Sequence, residues 1–217
     1  MRTALFGDIH GNSEALKRVL DDIRKNGVDK SICMGDIETL GPNPREALRL
    51  VKDFGCDVVM GNHDYFMLHP EAVEEYTESA FVRDEVKKCR HQLVDQDFEF
   101  IKTFRQTLTI EMPGGRRMYC FHGTPDSTTT GTLPSLSADT FFSLFPYDPA
   151  VKIVVCAHTH LQFCRRIGDV WLVNAGSVGQ PFAQYPFEDV PEFLPHAEYA
   201  IVEVDGADAE VRLRRID

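Results

Sequence analysis

Five of the eight histidines in this 217-residue chain stand in short clusters with aspartate, asparagine and glycine. The clusters are Gly7-Asp8-Ile9-His10, Gly61-Asn62-His63-Asp64, His122-Gly123 and Ala157-His158-Thr159-His160, joined by a lone carboxylate at Gly35-Asp36. Imidazole, carboxylate and amide oxygen together make a donor set suited to first-row transition-metal ions. The same imidazoles and carboxylates move protons near neutral pH. The spacings Asp8-x-His10 and His158-x-His160 can turn two donors toward one side of a bending chain. Taken singly, each cluster has a plainer reading. Asp8 and Asn12 suit turn and helix-start amides, Asp36 suits a turn, and Gly61-Asn62-His63-Asp64 reads as an ordinary turn. Five such clusters, each directly behind an apolar run, point instead to one shared site.

The apolar runs are the strands that must position it. Thr3–Phe6, Lys30–Met34 and Asp57–Met60 read as strands, separated by two helices. The first helix carries Ala15, Leu16, Val19, Leu20 and Ile23 on one face and closes at Asn26-Gly27. The second runs from Pro44 to Asp53 with Ala47, Leu48 and Val51 inward, its proline suited to the first turn. This β-α-β-α-β order predicts parallel pairing with right-handed crossovers. Glu71 to His91 reads as a helix, followed by a shorter one around Phe98 and Ile101. Leu108, Ile110 and Met112 alternate, Pro113-Gly114-Gly115 turns the chain, and Met118–Phe121 returns as a strand. Residues 123–150 form a Thr/Ser/Pro-containing segment with one short helix. Ile153–Cys156, Gln162–Arg166, Val170–Val173, Tyr199–Val204 and Val211–Leu213 complete the strands. Without repeats or linkers, residues 1–217 read as a single layered α/β domain with a sheet from each half. Ligand sites in open α/β sheets form beyond the carboxyl ends of the strands, so the five clusters should converge.

Composition limits the partners. Lys+Arg 23 against Asp+Glu 34 gives a net charge of −11 and a pI near 5.2. Such a chain is not expected to bind nucleic acid non-specifically or to dock on anionic membranes, although bound cations can invert the field inside a cleft. No apolar run reaches the length of a bilayer span, and the start lacks the apolar segment of a secretion signal. The six cysteines include no CxxC pair and read as reduced thiols of a cytoplasmic protein. Homo-oligomerisation is left open.

In this order, Asp-x-His, Gly-Asp followed by Gly41-Pro42, Gly-Asn-His-Asp, a lone His-Gly and His-x-His resemble the calcineurin-like metallophosphoesterase superfamily. Gly41-Pro42-Asn43-Pro44, Phe121-His122-Gly123-Thr124-Pro125 and Asn174-Ala175-Gly176-Ser177-Val178-Gly179-Gln180-Pro181 resemble segments of its small prokaryotic phosphodiesterase-type branch. The resemblance runs from Thr3 to about Val204. It implies a four-layer αββα sandwich, two mixed β-sheets flanked by helices, with a dinuclear metal centre. Carried over motif by motif, Asp8, His10, Asp36 and His160 would hold one ion. Asp36, Asn62, His122 and His158 would hold the second, with Asp36 bridging. His63 would be the acid that protonates the leaving oxygen, and Asp64 a candidate to orient its ring. The implied cofactors are two divalent transition-metal ions, manganese first, with iron, nickel, cobalt or zinc as alternatives. Ions about 3.5–4 Å apart repel, and a bridging carboxylate and hydroxide offset that repulsion. Two cations less Asp8, Asp36 and hydroxide leave one net positive charge where phosphate docks. The implied reaction is hydrolysis of a small phosphate ester by attack of the metal-bridging hydroxide, with a phosphodiester preferred.

The departures from the pattern bear on substrate. Gly35-Asp36-Ile37-Glu38-Thr39-Leu40-Gly41 lacks the arginine expected there in Ser/Thr protein phosphatases and symmetrical dinucleoside tetraphosphate hydrolases, and none closely follows Asp64. A bidentate clamp on a terminal phosphate is therefore not visible. Ala157 replaces the usual glycine before His-x-His, which a negative φ would tolerate. Phe182 stands where relatives often carry arginine. Phe182 to His196 looks like an insertion, read as a surface loop that packs Phe182, Phe187 and Phe193 onto the fold, with a lid or dimer contact as the alternative. His69, His91 and His196 read as solvent-facing, and Arg165 and Arg166 as surface charges. The competing functions are a nucleotide or protein phosphatase and a non-catalytic binding scaffold on the same fold.

Overall fold

The computed structural model describes residues 1–144, 148–187, 190–206 and 208–217. The alternation of side chains along each strand sets the layers. In β1 (Arg2–Phe6), Ala4 and Phe6 face helices while Leu5 faces the opposite sheet. In β6 (Val151–Cys156), Ile153 and Val155 face that same interior, while Val154 and Cys156 face outward under α7 (Ala138–Ser143), where Phe141 is buried. Strands apolar on both faces must be covered on both faces. Here the result is helices, two sheets, and an outer layer that includes α7: an αββα sandwich.

The first sheet has the order β10-β9-β1-β2-β3 and the second β4-β5-β6-β8-β7. β1 pairs in parallel with β2 (Lys30–Cys33), and β2 with β3 (Asp57–Val58). The intervening helices α1 (Ser13–Lys25) and α2 (Pro44–Phe54) bury Leu16, Val19, Leu20 and Ile23, and Ala47, Leu48 and Val51, as their periodicity predicts. In the second sheet β5 (Arg116–Phe121), β6 and β8 (Val170–Ala175) are mutually parallel, flanked by antiparallel β4 (Thr107–Met112) and β7 (Gln162–Ile167). Both sheets are mixed. Among the described residues no helix is long and apolar enough to cross a membrane.

Three expectations are corrected. The C-terminal hairpin, β9 (Ala197–Asp205) and β10 (Asp208–Ile216), does not join the second sheet: β9 lies antiparallel to β1, so the sheets do not divide the chain into halves. The reason is in β9 itself. Ala200, Val202 and Val204 fill the space between the sheets while Tyr199 and Ile201 pack under the helices, the pattern of a central strand. Residues 71–91 form two helices, α4 (Ala72–Tyr76) and α5 (Ala80–Gln92), because Thr77 is extended and Ser79 caps α5 by accepting from Val82 N. Gly61-Asn62-His63-Asp64 is no simple turn but the start of α3 (Asn62–Leu68). The short helix α6 (Asp95–Ile101) lies where expected.

Candidate metal centre

The six loops that follow β1, β2, β3, β5, β6 and β8 meet at one end of the sandwich and are laced together through their backbones. Asp8 N donates to Gly35 O at 2.9 Å, Ile9 N to Asp36 O at 2.8 Å, Ala157 N to His122 O at 2.7 Å and Val178 N to Gly7 O at 3.0 Å. Ser177 Oγ adds a 2.6 Å bond to Asp8 O. The approach is close enough to require glycine at the crossings. A Cβ on Gly61 would lie 2.1 Å from Asp36 Oδ1, and one on Gly41 would lie 1.8 Å from His10 O.

Asp8, His10, Asp36, Asn62, His122, His158 and His160 converge there and are all buried or nearly so. Ligand atoms of Asp8, His10 and His160 lie within 4.8 Å of one another, as do those of Asp36, His122 and His158. Asp36 stands between the two groups: its Oδ2 is 3.3 Å from His122 Nε2 and 3.9 Å from His10 Nε2. Asn62 Oδ1 lies 3.0 Å from His158 Nδ1. The backbone is bent to bring them in. Five of the seven residues, Asp8, His10, Asp36, His158 and His160, have φ between 47° and 67°, a region costly for residues with a Cβ and concentrated at functional sites. Ala157 is not among the positive-φ residues, so its methyl is tolerated.

The donor set fits divalent ions. Carbonyls fix three of the rings from behind: Thr39 O at 3.2 Å from His10 Nδ1, Met34 O at 2.7 Å from His122 Nδ1, and Gln180 O at 2.7 Å from His160 Nδ1. That places the proton on Nδ1 and leaves Nε2 inward, the arrangement in which imidazole ligates. The inward atoms are then left without partners. Asp8 Oδ1 and His122 Nε2 are buried and unbonded, and His10 Nε2 and His160 Nε2 face each other at 3.0 Å. Buried polar atoms are ordinarily satisfied, and a cation between these groups would satisfy them.

The electrostatics agree for three of the four rings. Burial together with neighbouring imidazoles pushes His158 down to about 3 and His160 to about 4, and holds His10 well below its usual value. These rings are neutral, as ligands must be. His122 differs: burial works against its charge, but the carboxylates of Asp36 and Asp8 raise it to about 10, so this ring has to give up a proton to ligate. Burial raises Asp8 well above the carboxylate range, whereas at Asp36 the charges of His122 and His63 overcome burial and hold it well below.

His63 lies beside this cluster, its ring edge-on to His10 at 5.1 Å. Its orienting partner is not Asp64. His63 Nδ1 is 2.6 Å from Thr39 Oγ1, a residue the sequence reading passed over. Asp64 turns the other way and accepts backbone N–H bonds from Asp36 and Gly61 at 2.8 Å and from Ile37 at 2.9 Å. It ties the β2 loop to the start of α3. Fully buried Glu38 neighbours it, its pKa raised well above the carboxylate range by burial and by the charge of Asp64. Asp64→Ala strands three buried amides, each worth about 1–3 kcal/mol. The expected outcome is a loss of about 3 kcal/mol or more in urea unfolding, against which loss of activity alone with unchanged stability would restore Asp64 to an orienting role.

Beyond the cluster, His69 and His91 are exposed, as expected. His196 is not fully solvent-facing, because its Nε2 lies 3.1 Å from Oε1 of buried Glu198. Arg165 donates to the carbonyl of Leu136 and Arg166 lies over Trp171, which leaves both outside the site. Within the described residues of 182–196, Phe182 packs on His160 as expected, whereas Phe187 and Phe193 remain largely exposed. Phe182, Phe187 and Phe193 line the cleft that opens on His10, Asp36, His63 and His158.

Residues 1–206 match the calcineurin-like phosphoesterase superfamily domain. An uncharacterized protein of Methanocaldococcus jannaschii, MJ0912, is 28% identical over 193 residues, which covers 82% of this chain and 76% of that one. A symmetrical bis(5'-nucleosyl)-tetraphosphatase of Sodalis glossinidius is 42% identical over 71 residues, only 31% of this chain and 25% of that protein. The crystal structure of a metallophosphoesterase from Sphaerobacter thermophilus, 24% identical, covers 100% of this chain and 89% of its own with a TM-score of 0.74, a likeness of fold. The match of the family model over nearly the whole length, on a sandwich whose strand ends carry its motifs, places this chain in the calcineurin-like phosphoesterase superfamily, a family of metal-dependent phosphoester hydrolases.

Proposed function

We propose that this protein is a dinuclear-metal-dependent hydrolase of small phosphate esters that prefers phosphodiesters. In this reading Asp8, His10, Asp36 and His160 hold one divalent transition-metal ion and Asp36, Asn62, His122 and His158 the other. Bound there, the ions would supply an activated water near neutral pH and offset the charge of the phosphoryl group. The chain's own groups do the rest. Asp36 balances charge between the two donor groups. His63, held by Thr39, carries a proton to the departing ester oxygen. Carbonyls of Met34, Thr39 and Gln180 keep the rings aimed inward.

The observation that carries this reading is the set of buried donor atoms gathered from five strand ends, Asp8 Oδ1 and His122 Nε2 among them without a partner. The diester preference rests on what lines the cleft: no lysine or arginine is among its described lining residues. A dianionic terminal phosphate would find no bidentate partner, whereas a diester carries one charge and needs none. The test is hydrolysis of bis(p-nitrophenyl) phosphate and p-nitrophenyl phosphate by one preparation, with its metal content measured. Chelation should reduce diester turnover by about a hundredfold or more, with recovery on adding Mn²⁺. Retention of full activity after complete metal removal would refute the metal-dependent reading, and a strong monoester preference would refute the diester assignment.

The local match to symmetrical bis(5'-nucleosyl)-tetraphosphatases supports a second reading, hydrolysis of a dinucleoside polyphosphate. Saturable cleavage of diadenosine tetraphosphate, at higher kcat/KM than any diester tested, would favour it.

A further inference from the structure

The cleft above the donor cluster has a volume of about 660 Å³. One side is the site itself. The other is a wall of rings: Phe182, Tyr185, Phe187 and Phe193 from the inserted segment, with Phe81 of α5. Phe187 is 77% exposed, Phe81 65% and Phe193 54%, although rings of this size ordinarily contribute their area to a core. Phe182 and Phe193 are nonetheless held in place. Phe182 stacks on His160 with centroids 4.5 Å apart and packs on Phe193 at 5.5 Å. The arms of the segment are tied by Ala183 N to Glu192 O at 2.9 Å and Leu194 N to Pro181 O at 2.8 Å, and Phe182 N reaches His160 O at 3.2 Å. The Phe182 and Phe193 part of the wall is therefore a preformed apolar surface, continuous with the site.

Resting on the phosphodiesterase reading, we infer that this wall is a subsite for a neutral, aromatic-ring-bearing ester group of the substrate. Phe182, backed by Phe193, stacks on His160, whereas His63, the proposed acid, lies beside Tyr76 at 6.4 Å between rings. A ring seated on Phe182 and Phe193 therefore belongs to the ester that stays on phosphorus. Its neutrality follows from the described lining residues, whose side chains offer no lysine or arginine to a second charged group. Its ring character follows from the wall, since faces and edges of Phe182, Phe187 and Phe193 reward stacking more than a flexible chain.

The test holds the leaving group constant. The Mn²⁺-loaded protein is given benzyl p-nitrophenyl phosphate and methyl p-nitrophenyl phosphate, which differ only in the retained ester. The expected kcat/KM ratio favours benzyl by about tenfold or more, the scale of burying one ring. In Phe187→Ala and Phe193→Ala the ratio should fall to about threefold or less. Calorimetric titration with benzyl methylphosphonate, which lacks the leaving group, should show binding weakened by about fivefold or more in the same variants. Equal turnover of the two esters by the wild type, or a ratio and an affinity unmoved in both variants, would overturn the subsite and leave the phosphodiesterase reading standing. Hydrolysis of neither ester would overturn that reading and the subsite with it.

Discussion

Asp36→Ala is expected to remove phosphodiester hydrolysis and bound metal together. Its Oδ2 faces His122 Nε2 at 3.3 Å and His10 Nε2 at 3.9 Å, so it serves both donor groups at once. Its Oδ1 accepts from His63 N at 2.8 Å, which joins the donor cluster to the helix that carries the proposed acid. Substituting any other ligand thins one group; substituting Asp36 thins both and removes a negative charge from between them. If the paired ions contribute several kcal/mol to the barrier, the loss in kcat/KM is on the order of a thousandfold or more, at 1.36 kcal/mol per decade. Metal stoichiometry separates this from unfolding. Asp36→Ala should keep its far-ultraviolet circular dichroism while its tightly bound metal falls by at least one ion. Asp36→Asn keeps the shape and the Oδ1 acceptor but not the charge, and should fall between alanine and the wild type. A fully metallated Asp36→Ala with near-normal turnover would end the shared-ligand assignment.

The succession of strands along the chain and the meeting of the clusters at one end were legible because both rest on local signals. Leu5-Phe6 before Gly7-Asp8 and Val155-Cys156 before Ala157-His158 each announce a buried strand that stops at a polar bend, and the stops had to share an edge if the strands were parallel. The inward face of α1 was equally plain, since Leu16, Val19, Leu20 and Ile23 are all buried. What was not legible depends on partners distant in sequence. β9 reads as a strand, but only Ala200 facing Leu5 across the ladder to β1 tells which sheet it completes. The Asp64 carboxylate could have turned toward His63 or toward the backbone. It turns to the backbone because the β2 loop brings the Asp36 and Ile37 amides within 2.9 Å, a fact of tertiary approach. Thr39 was invisible for the same reason: nothing in Glu38-Thr39-Leu40 marks a hydroxyl that will meet an imidazole 24 residues on. In the aromatic segment, Phe182 packs on His160 while Phe187 and Phe193 stay exposed beside the cleft, a division that three phenylalanines among prolines and acids do not reveal in sequence.

His63→Asn is expected to discriminate between substrates by their leaving groups. An ester whose alkoxide is a poor leaving group needs a proton at the departing oxygen, whereas p-nitrophenolate leaves without one. A positioned acid is worth about 10²–10⁴-fold, so turnover of an alkyl diester should fall by about that much while turnover of bis(p-nitrophenyl) phosphate falls by less than about tenfold. The ring is built for one direction of transfer. Nδ1 is engaged by Thr39 Oγ1 at 2.6 Å, and Phe66 packs edge-on at 5.4 Å, which leaves Nε2 for the cleft. Thr39 is then a positioning residue, and Thr39→Val should reproduce the leaving-group dependence in weaker form with metal content unchanged, while Thr39→Ser restores the wild-type pattern. The pairing of these variants matters because Asn62, a proposed ligand, precedes His63 directly. A loss that came through Asn62 would strip metal and slow good and poor leaving groups alike. Equal losses on both substrates with metal retained would remove His63 from the proton path and assign it to binding the phosphoryl group.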